Sequence, residues 1–152
     1  MLLCAANLPA LDGAFAGLGA EVSANTREGA SVGGGILLGL DLSRRFALGM
    51  KVAYYHDADE VGALEPSVLA RLYFPLKNTY PFVQANLGTV IFFEYGESFP
   101  AFLGSLSAGW RFHPGRSWYI EPSVRGGYPF IWGAGLSVGM YFNAASFSFL
   151  RR

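Results

Sequence analysis

The chain has one cysteine, Cys4, among its 152 residues. That excludes a disulfide framework and any cysteine-based zinc site. Two histidines, His56 and His113, stand far apart in the sequence and make a weak metal-ligand set. Charge is scarce as well: Asp, Glu, Lys and Arg make up 14% of the chain, in 11 basic and 11 acidic residues with net charge +0. A soluble domain carries about a quarter of its residues as charges, so this chain has too few to cover a wet surface. The absence of any Lys/Arg run removes the electrostatic footprint of a nucleic-acid binder. Long apolar runs are missing too. Gly, Ser or a charge interrupts every candidate for the roughly 18 to 20 apolar residues that a spanning helix needs.

What the chain does have is 52% hydrophobic residues, 16% aromatics and 20 glycines, over a length that suits one domain. If that apolar excess faces lipid without a helix, a closed β-barrel is the remaining packaging. The period supports this. In segment after segment, alternate residues are apolar, the pattern of strands with one face against an apolar phase. Val32, Ile36, Leu38 and Leu40 oppose Ser31, Gly33, Gly35 and Gly39. Leu48, Met50 and Val52 oppose Gly49, Lys51 and Ala53, and Leu106, Ala108 and Trp110 oppose Ser105, Ser107, Gly109 and Arg111. Ala16, Leu18, Ala20 and Val22 show the scheme more weakly.

Eight such segments of about 9 to 14 residues are separated by short turn-forming links, and each is long enough to cross a bilayer when tilted. The links comprise 25–29, 43–45, 56–62, 75–79, 94–98 and 113–117, with a tight turn near Pro129. The expected fold is all-β: an eight-stranded antiparallel up-and-down transmembrane β-barrel over 14–150. Residues 1–13 read as the remnant of a signal peptide or an N-terminal tail.

A soluble barrel with an apolar ligand pocket would need a charged outer face. Here the bulky parity holds no Asp, Glu, Lys or Arg, and the other parity is mostly Gly, Ser and Ala. The bulky face therefore suits lipid, and the small face suits a narrow interior. Aromatics near the segment ends fit membrane interfaces, with Trp110, Trp118, Trp132 and Phe142 as leading candidates and Tyr80 and Phe130 among the others. The outer links carry Arg27, Glu28, Asp57, Asp59, Glu60, Glu94 and Glu97, and the inner turns carry Arg44, Arg45, Lys77 and Arg116. One rim is thus largely acidic and the other basic.

Seven charges fall on the inward parity: Glu21, Lys51, Glu65, Arg71, Arg111, Glu121 and Arg125. In a narrow low-dielectric lumen they must pair. Hairpin folding brings Lys51 diagonal to Glu65 and Arg111 toward Glu121, so a salt-bridged plug is expected rather than a pore. Neither histidine has an evident serine and carboxylate on a shared surface, so no enzymatic activity, cofactor or metal is expected. Glu-Pro-Ser-Val occurs at 65–68 and 121–124. In this topology the copies run antiparallel at different depths, which argues against a duplication, and Pro66 and Pro122 should sit near strand ends or bulges.

The stretches Gly109-Trp110-Arg111-Phe112-His113-Pro114-Gly115 and Trp118 to Phe130 resemble the penultimate hairpin of small spirochaete barrel proteins. As a pattern, the whole chain resembles the eight-stranded bacterial outer-membrane barrels, the group of the outer-membrane protein A transmembrane domain, OmpX and OmpW. Gly135 to Phe142 is similar to the signal read by the barrel assembly machinery, although Phe149 lies further on and strand eight could extend to it. The resemblance implies a monomer in outer-membrane lipid, inserted through its C-terminal strand, with a structural or surface-contact role. An OmpW-like route for small apolar molecules is the alternative, with Leu37, Leu69, Val90 and Leu103 lining the outer ends of the lumen.

Overall fold

The computed structural model describes residues 13–25, 29–57, 61–76, 79–94, 96–114 and 117–142. Eight strands run in chain order: β1 Gly13–Asn25, β2 Gly29–Asp41, β3 Phe46–Asp57, β4 Gly62–Tyr73, β5 Thr79–Glu94, β6 Glu97–Phe112, β7 Trp118–Tyr128 and β8 Phe130–Phe142. Each pairs antiparallel with its sequence neighbour, and β1 pairs with β8, which closes the barrel. Closure removes every sheet edge, the condition for strands to stand in lipid. Below, the upper end is the one with the β1–β2, β3–β4, β5–β6 and β7–β8 turns. The lower end has the other three turns together with the start of β1 and the end of β8.

The period-two pattern places the bulky residues outside. Leu18 is 67% exposed, Leu106 64% and Val68 60%, and no strand carries Asp, Glu, Lys or Arg on this outward parity. Trp110, Trp118 and Phe142 point outward near the lower end and Trp132 near the upper end, with Leu, Val, Ile and Met between. Inward, large rings lie directly on the backbone of strands one or two places away, and glycine makes the space. A Cβ at Gly17 would come 2.5 Å from the Tyr119 hydroxyl, and one at Gly39 would meet the Phe15 ring. This is the close approach that the inward glycines permit.

The structure corrects several sequence expectations. β5 and β6 are 16 residues each, longer than expected, because they pair from Glu94↔Glu97 down to Thr79↔Phe112. The link is only Tyr95 and Gly96, with Gly96 at φ 84. Phe130 faces the interior and is fully buried, since a register irregularity near Ile131 against β1 reverses its side. Tyr80 also turns inward, on the parity of Phe82 and Gln84.

Pro66 and Pro122 are in mid-strand without a register shift. The ladders omit Glu65 and Pro66 on the β5 side and Glu121 and Pro122 on the β6 side, where the prolines have no N–H to give. Arg27, Glu28, Asp59, Glu60, Lys77, Arg116 and Phe149 lie outside the described residues, as does 1–12.

Candidate functional site

The inward parity gathers all seven charged residues into two clusters at different heights. In the upper cluster Lys51 Nζ donates to Glu21 Oε2 at 3.1 Å and to the Tyr55 hydroxyl at 3.0 Å, and lies 3.4 Å from Glu65 Oε1. Arg125 Nη1 donates to Glu65 Oε2 at 2.7 Å, and Arg125 Nη2 donates to Tyr55 at 3.0 Å. Arg125 Nε is 2.5 Å from Glu21 Oε1 but out of hydrogen-bond alignment, so that contact is an ion pair only. Tyr55 in turn donates to Glu65 Oε2 at 3.1 Å. Two cations meet two anions, and Glu65 is fully buried.

The lower cluster is built on Glu121. Arg71 Nη1 donates to Glu121 Oε1 at 2.6 Å, and Arg111 Nε donates to the same oxygen. Arg111 Nη1 donates to the Tyr141 hydroxyl, and Arg71 Nη1 to the Tyr73 hydroxyl at 3.3 Å. Here two cations share one anion, a surplus of one positive charge, and Arg111 Nη2 has no hydrogen-bond acceptor. The surplus is met by aromatic faces. The Arg111 guanidinium carbon lies 4.1 Å from the Tyr119 ring centre and 4.5 Å from that of Phe15, and Arg71 lies 4.1 Å from Phe82. Cation–π attraction in a desolvated site of this kind is worth about 2 kcal/mol per contact at its upper range.

A polar ladder runs from the lower cluster across β5 and β6. Arg71 Nε donates to Gln84 Oε1 at 2.7 Å, Gln84 Nε2 to Asn86 Oδ1 at 2.6 Å, and Asn86 Nδ2 to Ser105 and Ser107 at 3.1 and 3.2 Å. The lumen between the clusters keeps a cavity of about 70 Å³ touching Glu21, Leu37, Lys51, Arg71, Asn86 and Arg125. That is room for water but not for a drug-sized solute.

Above the upper cluster, Ala53, Ala63, Val90, Phe92, Leu103 and Phe130 form an apolar cap, with the Phe130 ring 4.8 Å from that of Tyr55. Leu37 and Leu69 are not at the outer end as expected: they pack with Phe15, Tyr73, Phe82 and Tyr119 in the lower apolar cluster, because the β2–β3 and β3–β4 registers place them below mid-strand.

The lower end opens into a larger cavity of about 560 Å³ walled by Tyr73, Tyr80, His113 and Tyr141. His113 is in the turn after β6, and burial, followed by the Arg111 charge, holds its imidazole below the usual histidine range. His56 is exposed near the upper end on the outward parity of β3. No cluster of three metal-ligating side chains occurs among the described residues. Sequence reasoning did not identify Phe15, Phe82 and Phe130 as partners of the lumenal arginines. Parity with Gly17 and Gln84 marks Phe15 and Phe82 as inward, whereas Phe130 is concealed by the irregularity at Ile131.

No protein-family model and no curated protein matches the chain. Solved structures do match in fold. The N-terminal β-barrel domain of Pseudomonas aeruginosa OprF superposes with TM-score 0.67 at 20% identity, over 87% of this chain and 98% of that one. Neisserial surface protein A gives TM-score 0.63 at 11% identity, over 86% and 96%. A de novo designed transmembrane β-barrel gives 0.58 at 10%, over 87% and 97%. At these identities the likeness establishes architecture, and the architecture is that of the small closed β-barrels: eight antiparallel strands in up-and-down order, apolar outside and polar within.

Proposed function

We propose that this chain is an integral β-barrel of the bacterial outer membrane whose lumen is plugged by its own charged side chains. Its role is structural or one of surface contact in the envelope, not catalytic. The observation that carries this reading is the division of the strands. Every Asp, Glu, Lys and Arg of the strand centres is inside and engaged in ion pairs, while the outward parity has none. Water would not tolerate that exterior over so many strands, and lipid requires it. In this reading the barrel sits as a monomer in outer-membrane lipid, with the lower end toward the periplasm. It is inserted by the barrel assembly machinery through β8 and has no nucleic-acid partner.

Two measurements test the reading together. Full-length protein folded in detergent should migrate differently on a gel before and after boiling, and should give no steady conductance in a planar bilayer. A monomer that folds in water without detergent would contradict the membrane assignment, and a stable open channel would contradict the plug. OmpW-like transport of apolar molecules has less support, since Val90 and Leu103 are fully buried within the apolar cap.

A further inference from the structure

The lower mouth is where the described residues leave room, and its walls are largely aromatic. Its volume of about 560 Å³ falls in the size range of small-molecule sites. Tyr73 meets Tyr80 edge-on at 6.4 Å, Tyr80 meets His113 edge-on at 5.1 Å, and His113 stacks on Tyr141 at 5.5 Å, so the rings form a continuous aromatic wall. Behind it the buried Arg111 guanidinium lies 5.2 Å from the Tyr73 ring and 5.1 Å from the Tyr141 ring, with Nη2 lacking an acceptor. The Tyr73 and Tyr141 hydroxyls each accept a bond from an arginine, which leaves the proton of each hydroxyl to be donated.

These donors face the Asp41 carboxylate, which also lines the mouth. Among the described residues at and behind the wall, Arg44, Arg71 and Arg111 against Asp41 and Glu121 leave three minus two, a surplus of one positive. Asp41 opposes an anion, and the surplus stands after it is counted.

We propose that the lower mouth is a binding site for a small organic acid with a flat apolar body. The acid group is drawn to Arg44 and the tyrosine hydroxyls in the field of Arg111, and the body lies against the rings of Tyr80, His113 and Tyr141. This site lies below both charge clusters and does not depend on whether the lumen conducts.

The test uses the full chain folded in lipid nanodiscs, with empty nanodiscs as background, in equilibrium dialysis against naphthalene-2-carboxylate, the neutral 2-naphthamide and the cationic 2-naphthylmethylammonium. The carboxylate should be retained saturably at one per barrel, and the cation should not compete. Tyr80→Ala, which removes one ring of the wall, should weaken retention about tenfold, and Arg44→Gln should weaken it several-fold. Both positions are at the mouth, and the boiling-dependent gel shift reports that each variant is folded. Equal retention of the three probes would mean partition into lipid alone and would overturn the proposal. Preference for the cation, or unchanged retention in both folded variants, would overturn it as well.

Discussion

The upper and lower charge clusters use the same chemistry with different balance. The upper one sets Lys51 and Arg125 against Glu21 and Glu65, so each cation retains an anion if one carboxylate is lost. The lower one hangs Arg71 and Arg111 on the single carboxylate of Glu121 and supplements it with the faces of Phe15, Phe82 and Tyr119. A balanced cluster beneath an apolar cap closes one end. A cation-rich cluster behind tyrosines leaves room at the other end among the described residues. The two Glu-Pro-Ser-Val copies supply one key glutamate to each cluster, Glu65 above and Glu121 below, with each proline exposed on the outer face.

The sharpest way to break this contrast is to remove the lower anion. Glu121→Gln strands two buried guanidinium groups, and a loss of about 3 to 5 kcal/mol is expected in urea unfolding from lipid vesicles. Glu65→Gln should cost clearly less, because Glu21 still faces both upper cations. Equal losses would mean that the clusters do not differ in balance. Next in size is the contrast between faces. Ile36→Arg, on the outward parity opposite Leu18 and Val52, should cost about 2 to 4 kcal/mol. Ser107→Ala should cost less than about 1 kcal/mol, since Asn86 keeps Ser105 as a partner. The reverse order would turn the barrel inside out.

A smaller effect tests the packing of the lower rings. Gly139→Ala places a methyl group against the Tyr119 ring and the Ala16 carbonyl oxygen of β1, and should cost about 1 to 3 kcal/mol in the same unfolding assay. The outward Gly34→Ala, whose Cβ meets only a carbonyl oxygen at 3.4 Å, should be nearly neutral. The smallest effect is on pH. His113 is held below the histidine range by burial and Arg111, so the unfolded chain binds its proton more readily than the folded one. The stability linked to His113 is therefore present above about pH 6.5 and lost as pH falls below it. His113→Gln should flatten that part of the unfolding profile, and an unchanged slope would remove His113 from the account.

Much of this was legible in the sequence, for a physical reason. Period-two alternation is a local property, so Leu38 against Gly39, or Trp110 against Arg111, reveals the sides of a strand without knowledge of its partners. The inward charges were legible on the same basis. What alternation could not give was height and phase past an irregularity. Leu37 and Leu69 face inward as their parity requires, yet their level in the lumen depends on register across β2, β3 and β4. Phe130 breaks its parity because of one extra residue opposite β1. The open lower mouth had no signal at all, since its wall is assembled from Tyr73, Tyr80, His113 and Tyr141, residues of four separate segments.

The central claim is that the outward face meets lipid, and the chain carries its own probes for it. Its three tryptophans, Trp110, Trp118 and Trp132, all point outward near the strand ends and are exposed by 52%, 51% and 51%. The direct measurement is quenching of their fluorescence in vesicles by lipids brominated at shallow or deep acyl positions, beside aqueous iodide. Strong quenching by the shallow bromines, weaker quenching by the deep ones and little by iodide is the expected result. Strong iodide quenching with no response to brominated lipid would place that face in water and contradict the account.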